Sequence, residues 1–322
     1  MLEPEPEPVI EVRGLVKRYR ESDRPAVEGL DLTVRAGEFV ALLGPNGAGK
    51  TTTVSILTTG LNKTSGTVRV AGYDLDSQAK EIRESIGVIF QSPSLDLRLT
   101  AEENLRFHAS LYGIYGYRPT FRLMPPAYRE RVQALARLLG IERDLFQRVE
   151  KFSGGMRRKL EIVRSLMHHP KVLFLDEPTQ GLDPLSRPSL WTYLRKVQNE
   201  EGTTILLTTH YIEEAEGADH VVIVSKGRLL AEGTPEALKL RISDRYLLLD
   251  AANRERLVRD LDKLEVTARK DGLLKVAFDG GTPQSVLSRI TVPLTIFQMH
   301  VPSLEEAYIE LVGKELAATG AG

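Results

Sequence analysis

Residues 44–52, with the sequence GPNGAGKTT, constrain the fold of this chain more than any other segment. An apolar run at 38–43 precedes them, and a segment with the spacing of an opening helix follows at 53–57. Glycines let successive backbone N–H groups turn toward one point without interference from a Cβ atom, and a helix N-terminus adds its positive dipole end. The segment therefore predicts a phosphate-binding loop between a strand and a helix.

Two side chains of this loop have predicted chemical roles. Lys50 is placed to reach the β- and γ-phosphates of a nucleoside triphosphate, and the hydroxyl of Thr51 is placed to bind Mg²⁺. The alternative, a glycine-rich turn with a chance lysine, does not account for the strand and helix patterns on either side. The residues expected to contact the nucleotide are Gly44, Pro45, Asn46, Gly47, Ala48, Gly49, Lys50, Thr51 and Thr52.

Composition limits the classes of protein that this chain can represent. Its 322 residues, 42% of them hydrophobic and 27% charged, suffice for two globular domains. The formal net charge of -1 argues against a dedicated nucleic-acid-binding protein, which would usually carry a basic excess. The absence of cysteine removes disulfides, thiolate metal sites and a cysteine nucleophile, and it fits a reducing compartment.

Neither a membrane span nor a signal peptide is expected. No apolar segment approaches the roughly 18 to 20 residues that a transmembrane helix requires. The N-terminal sequence MLEPEPEP has acids and prolines where a signal peptide needs basic and then apolar residues, and it predicts a disordered tail at 1–8. The expected location is the cytoplasm, and another chain must cross any membrane involved.

The periodicity of apolar residues predicts a strand-rich frame with a helical insert. Between residues 99 and 167 the period changes from two to three and four, which is typical of helices. Continuous apolar runs, typical of a parallel sheet covered on both faces, return at 172–175, 204–208 and 221–224. We expect an α/β domain at 9–235 that contains a helical subdomain at about 93–168.

The remaining residues, 236–322, predict a small α+β domain of about 80 residues, within the usual range for an independent unit. A turn at 227–235 is expected to lead out of the first domain. The predicted strands of the second domain lie at 246–249, 273–278 and 294–297, and its predicted helices lie at 254–261, 284–290 and 303–316.

A second motif with chemical meaning is VLFLDE at 172–177, four apolar residues followed by two acids. At the end of a buried strand beside the phosphate loop, Asp176 is placed to hold Mg²⁺. Glu177 points the opposite way and is placed to orient or deprotonate an attacking water molecule. The alternative is a strand that ends in two solvated acids.

Residues 152–157, FSGGMR, lie between these two motifs and directly before a helical pattern. With them, residues 9–235 resemble the nucleotide-binding subunit of an ATP-binding cassette (ABC) transporter. In that family the serine and glycines, here Ser153, Gly154 and Gly155, present a second anion site to the γ-phosphate bound by a facing subunit. Phe152 and Met156 depart from the leucine and glutamine that are commonest in the family. The alternative is a plain helix N-cap at Ser153.

The resemblance implies roles for further positions. Tyr19 matches the aromatic residue that stacks on adenine, and Gln91 matches the glutamine that touches Mg²⁺ or water and hinges the helical insert. His210 matches the switch histidine that contacts the γ-phosphate. Residues 181–183 match the loop that couples two sites across a dimer, with Asp183 near the nucleotide. The implied fold is a P-loop NTPase core of the RecA-like type with an antiparallel edge sheet.

The whole pattern is similar to the ATPases of drug- and glycolipid-export systems. It implies an enzyme that hydrolyses ATP with Mg²⁺, with Glu177, His210 and Gln91 in catalysis and Thr51, Gln91 and Asp176 at the metal. The implied partners are a membrane permease and a second, identical cassette, with no nucleic acid, at the cytoplasmic face of the cell membrane. The alternatives are an ABC ATPase acting on nucleic acid or ribosomes and a small-molecule kinase, which would leave the Ser-Gly-Gly segment without a purpose.

An aromatic-rich stretch at 112–128 is longer than the equivalent connection in such ATPases. Its aromatic residues are Tyr112, Tyr115, Tyr117, Phe121 and Tyr128. One interpretation is an exposed anchor for the permease, because aromatic and arginine residues dominate protein interfaces. The other is a surface loop whose aromatic side chains fold inward.

Overall fold

A computed structural model describes residues 7–20, 22–91, 94–182, 186–242, 246–261, 266–268, 273–277 and 283–319. The chain divides into two compact units, residues 1–232 and 233–322. The first strand begins at Pro8, and the rest of the predicted tail lies almost entirely outside the described residues.

The first unit is a strand-rich frame interrupted by a block of helices, as the sequence pattern predicts. Its strands are β1 Pro8–Lys17, β2 Val27–Arg35, β3 Phe39–Leu43, β4 Ser65–Val70, β5 Tyr73–Asp74, β6 Ile86–Ile89, β7 Val172–Asp176, β8 Thr204–Thr209, β9 His220–Ser225 and β10 Arg228–Gly233. Its helices are α1 Lys50–Leu57, α2 Ala79–Ser85, α3 Ala101–Leu111, α4 Pro126–Leu138, α5 Gly154–Leu166, α6 Ser186–Glu201 and α7 Ile212–Ala215.

A six-stranded sheet in the order β10-β9-β3-β8-β7-β6 forms the centre of the first unit. From β6 to β9 the neighbouring strands run parallel. Every residue of β3, β7 and β8 is buried, as the continuous apolar runs predict for a sheet covered on both faces. Because the carboxyl ends of parallel strands meet at one edge, the residues that follow these three strands are brought together there.

The antiparallel sheet predicted beside this core is present in the order β2-β1-β4-β5. The helical subdomain is present too, with α3, α4 and α5 lying in sequence between β6 and β7. The predicted fold class, a P-loop NTPase core with a helical insert and an antiparallel edge sheet, is confirmed.

The structure of the aromatic-rich stretch at 112–128 agrees in part with each of its two interpretations. Tyr128 is fully buried, and Tyr115 and Phe121 pack edge-on against it with ring centroids 5.5 and 6.1 Å away. Tyr112 and Tyr117 remain exposed, at 63% and 48%. The stretch is therefore a packed loop that still presents two aromatic side chains to solvent.

Close packing between β6 and α5 gives a stability prediction. A Cβ atom on Gly87 would lie 2.8 Å from the carbonyl oxygen of Ser165 and 2.9 Å from Cδ1 of Leu173. Since overpacking a core typically costs 1–3 kcal/mol, we expect Gly87→Ala to lower the free energy of unfolding by about 2 kcal/mol. Urea denaturation measures this. Gly116→Ala is the control because nothing lies within 4 Å of its Cβ position, and equal stability of the two variants would contradict the packing argument.

The second unit contains its own sheet, in the order β12-β13-β11-β14. Its strands are β11 Tyr246–Ala251, β12 Val266–Ala268, β13 Leu274–Ala277 and β14 Leu294–His300, and its helices are α8 Pro235–Ile242, α9 Arg254–Asp260, α10 Pro283–Leu287 and α11 Leu304–Thr319. Each predicted element is present with small shifts of its ends. The turn predicted at 227–235 is wrong, because its residues form all of β10 and the start of α8. A glycine and a proline at the ends of the segment give it the composition of a turn, although both are compatible with the boundaries of these elements.

Candidate functional site

The loop between β3 and α1 requires glycine at defined positions. Gly47 and Gly49 have φ angles of 80° and 99°, in the left-handed region that glycine adopts without strain. A Cβ atom on Gly44 would lie 2.3 Å from the carbonyl oxygen of Val224, and one on Gly49 would lie 2.4 Å from that of Ala26. The loop is therefore held closely by the neighbouring backbone, as a phosphate cradle requires.

A cleft of about 400 Å³ opens over this loop. Its lining residues are Ala26, Asn46, Gly47, Ala48, Gly49, Lys50, Thr51, Thr52, Gln91, Glu177 and Gln180. Predicted residues from three separate segments of the chain thus share one cleft, at the carboxyl edge of the parallel sheet.

Lys50 is buried at the base of the cleft. Its Nζ donates hydrogen bonds to the carbonyl oxygens of Gly44, at 2.8 Å, and Pro45, at 3.1 Å, and lies 3.6 Å from Oε1 of Glu177. Burial lowers the pKa of Lys50, and the Glu177 carboxylate opposes that shift. The ammonium group is thus held beside the backbone that forms the phosphate cradle.

Asp176 ends β7 with its carboxylate buried between two hydroxyl groups. Its Oδ1 accepts hydrogen bonds from Thr51, at 3.1 Å, and from Thr208, at 2.6 Å. Carboxylate, hydroxyl and carboxamide oxygens are the ligands that Mg²⁺ prefers, and it usually takes one or two carboxylates together with substrate phosphates. The groups at Asp176, Thr51 and Gln91 therefore fit a nucleotide-bound Mg²⁺. No group of three or more His, Cys, Asp or Glu side chains within the described ranges is arranged to hold a metal.

Glu177 lines the cleft, whereas Asp176 is not among the lining residues. Oε1 lies 3.2 Å from Nδ1 of His210, which follows β8. The backbone of Glu177 has a φ angle of 45°, in the left-handed region that side chains other than glycine rarely occupy. Its N–H donates to the Thr208 hydroxyl at 3.0 Å. The structure therefore brings the predicted base and the predicted switch histidine together.

Tyr19 lies beside the phosphate loop, and Gln91 lines the cleft. The Tyr19 ring follows β1, is 42% exposed, and has its hydroxyl 3.4 Å from that of Thr52. An exposed ring beside the phosphate loop is available for stacking on a base. The Gln91 side chain donates a hydrogen bond to that of Gln180, which lies three residues beyond Glu177.

Ser153 is the N-cap of α5, and its hydroxyl accepts a hydrogen bond from the N–H of Met156 at 3.2 Å. It is exposed, as is Gly154, and the Ser-Gly-Gly segment does not contribute to the described lining of the cleft. The plain N-cap interpretation therefore fits the structure, and the exposed segment is also accessible to another molecule. Asp183 lies outside the described residues.

A buried carboxylate that sequence reasoning missed lies behind the site. Glu214 accepts hydrogen bonds from the hydroxyls of Thr179 and Thr209, the latter at 2.6 Å, and burial raises its pKa. These hydroxyls connect the loop after Glu177 to the residue before His210. No sequence signal identifies this group, because its partner Thr179 is 35 residues away.

The helices that the structure describes include none that is both long and apolar enough to cross a membrane.

Comparison with known proteins places these features in a family. Residues 27–180 match the family described as "ABC transporter". The chain is 38% identical, over 96% of its own length and 94% of the relative's, to the daunorubicin/doxorubicin resistance ATP-binding protein DrrA of Streptomyces peucetius. It is 34% identical, over 95% and 98%, to the Nod factor export ATP-binding protein I of Burkholderia orbicola (strain AU 1054). Both similarities extend through the second unit.

A solved structure with a similar fold is the dimeric post-hydrolysis state of an ATP-binding cassette bound to ADP and Pi. The TM-score is 0.61 and the sequence identity is 25%, over 70% of this chain and 98% of that one. The similarity therefore covers a complete cassette.

Proposed function

The chain belongs to the ABC transporter family as an ATP-binding subunit with ATPase activity, and we propose that it energises export of a drug, lipid or glycolipid-like molecule through a separate membrane permease. The observation that carries the catalytic part is the meeting of Lys50 and His210 at the carboxylate of Glu177, which lines the cleft. The export part is supported by two relatives whose names refer to daunorubicin/doxorubicin resistance and to Nod factor export.

In this proposal the residues of the cleft divide the chemistry of hydrolysis. Lys50 and the loop amides bind the phosphates, while Glu177 accepts the proton of the attacking water and His210 orients its carboxylate. Thr51, Asp176 and Gln91 would hold Mg²⁺, which supplies charge neutralisation on the phosphate oxygens when bound. Tyr19 packs on the adenine, and binding of the adenine ring therefore depends on an exposed side chain.

We further propose that two identical chains share each ATP. The support is the position of Ser153, which is exposed at a helix N-terminus and absent from the described lining of the cleft on its own chain. A helix N-terminus binds anions through its free N–H groups and its dipole. A second copy would supply this group to the γ-phosphate. The similar cassette whose structure is dimeric agrees with this arrangement.

A groove of about 420 Å³ on the same unit is the proposed docking site for the permease at the cytoplasmic face of the membrane. Phe90 and Tyr112 are exposed at its edge. The His108 ring lies 4.2 Å from the Tyr112 ring, and burial lowers the pKa of His108 to about 3, so that it is neutral. Because Phe90 precedes Gln91, a bound permease segment would contact the backbone that leads into the ATP cleft. Because the formal net charge of the chain is only -1, we propose no nucleic-acid partner.

Purification from detergent-solubilised membranes tests the transport function. The tagged chain is expected to bring down an integral membrane protein, and Tyr112→Ala is expected to weaken that complex by about 2 kcal/mol, or about 30-fold in affinity, as for an aromatic interface anchor. Leu123→Ala is the matched control, since Leu123 is 60% exposed and lies outside the groove. Recovery of ribosomes or nucleic acid instead of a membrane protein would contradict the transport function.

A further inference from the structure

Arg158 and Glu161 form a buried ion pair on α5, the helix that begins next to Ser153. Nη1 of Arg158 lies 2.9 Å from Oε2 of Glu161, and the two side chains are only 5% and 3% exposed. Neither residue lines the ATP cleft. Burying two charges costs more in desolvation than an exposed pair would, so extra hydrogen bonds must satisfy the remaining donors and acceptors.

The remaining donors of Arg158 are directed at backbone carbonyl groups of two other segments. Nε donates to Pro178 at 2.8 Å, and Nη1 also donates to Phe90 at 2.9 Å. Nη2 makes a longer contact, 3.4 Å, with the carbonyl oxygen of Glu177. One guanidinium group therefore connects α5 both to the loop that carries the proposed base and to the residue before Gln91.

Glu161 extends the same connection. Its Oε1 accepts a hydrogen bond from the N–H of Ser94 at 3.0 Å, and its other oxygen binds Arg158. The pair thus binds the backbone at Phe90 and again at Ser94, where the chain enters the helical subdomain. Only a planar group with several donors in fixed directions can bind these carbonyls at once, and lysine lacks that geometry.

The backbone of Glu177 depends on such support. Its left-handed conformation, with a φ angle of 45°, persists only where the surroundings determine it. On one side its N–H donates to the Thr208 hydroxyl. On the other side the contacts from Arg158 to Glu177 and Pro178 hold the carbonyl groups.

We propose that the Arg158–Glu161 pair is a positioning element that holds the Glu177 carboxylate in its catalytic orientation and links it to the helix that carries Ser153. This inference rests on the proposed function. Under it, Ser153 serves the ATP of the facing cassette while Glu177 serves its own. Binding of the facing cassette's ATP at the N-terminus of α5 is therefore transmitted to Glu177, the base for the chain's own ATP. The buried guanidinium group of Arg158 makes this connection.

Arg158→Lys tests the proposal in the full chain, because it keeps a charge for Glu161 but removes the planar donors. We expect kcat for ATP hydrolysis to fall about 100-fold, the order of loss for a reacting group misplaced by about 1 Å. The KM for ATP and the affinity for a fluorescent ATP analogue should stay close to those of the parent, since Lys50 and the phosphate loop are untouched.

Arg131→Lys is the matched control. Arg131 also forms an ion pair, with Glu201, and donates to a carbonyl oxygen of α5, that of Leu166 at 2.7 Å. It does not contact the Glu177 loop, so its kcat should equal that of the parent. Urea denaturation of both variants shows whether any loss of activity follows a loss of stability.

A double variant, Arg158→Met with Glu161→Leu, separates positioning from stability. Replacing a buried ion pair by apolar residues of similar volume is often neutral for stability, so this chain should fold yet keep the low kcat. An unchanged kcat in folded Arg158→Lys would overturn the proposal. A loss of kcat and of analogue affinity in proportion to a lowered urea midpoint would also overturn it, because the effect would then be one of stability. A parent chain that neither binds the analogue nor hydrolyses ATP would contradict the proposed function itself, and this inference with it.

Discussion

Glu177→Gln is expected to lower sustained ATP hydrolysis by about 100- to 10,000-fold, the usual contribution of a general base, while ATP binding is preserved. Glutamine keeps the shape of the side chain but cannot accept the proton of the attacking water. In the parent chain, Oε1 of Glu177 lies 3.2 Å from Nδ1 of His210 and 3.6 Å from Nζ of Lys50.

Phosphate release under steady-state conditions measures this loss, and gel filtration with ATP measures the second expected effect. The variant should accumulate as an ATP-bound dimer, since closure needs the γ-phosphate and opening needs its removal. Glu213→Gln is the control, because Glu213 is exposed and lies three residues after His210, the proposed switch histidine. Turnover near that of the parent would remove Glu177 from its proposed role.

Activity is expected to return when two inactive chains are mixed, one carrying Lys50→Ala and the other Ser153→Arg. Lys50→Ala removes the main cationic partner of the phosphates, and loss of a buried charge partner costs about 2–5 kcal/mol, or about 30-fold or more in affinity. Ser153→Arg places a bulky cation at the proposed trans contact. A mixed dimer has both lesions in one site and leaves the other site intact.

With equal mixing, half of the dimers are mixed and each holds one intact site, so about a quarter of the parental activity should return if the sites act independently. The control replaces the second chain by one that carries both substitutions, which leaves no intact site in any dimer. Absence of rescue at any ratio, although both chains fold and dimerise, would mean that the sites are obligatorily coupled or are not shared. A hydrolytically active monomer would contradict the shared-site arrangement.

The groups that the sequence identifies in advance lie at the ends of strands. Lys50, Asp176 and His210 follow apolar runs at the same edge of a parallel sheet, and a pattern in the chain predicts that edge. The position of each residue directly after a strand is enough to place the three near one another. The presence of these three residues in one site could therefore be predicted from motifs that span only a few residues.

The groups that support the site could not be predicted in this way. The Thr208 hydroxyl binds the N–H of Glu177 from 31 residues away, and Arg158 reaches the carbonyl of Phe90 across 68 residues. A buried arginine at helical spacing has the same sequence appearance as one on a solvated face. Such contacts depend on how the helical subdomain packs against the sheet, which periodicity does not encode.

The left-handed backbone at Glu177 also sets stability and activity against each other. A residue other than glycine in such a region costs of order 1–3 kcal/mol, which glycine would largely avoid. Glu177→Gly would relieve this strain, but it would also remove the proposed base and leave the buried Lys50 ammonium without the carboxylate that lies 3.6 Å away. Stabilising substitutions in this chain should therefore be sought elsewhere in the sequence.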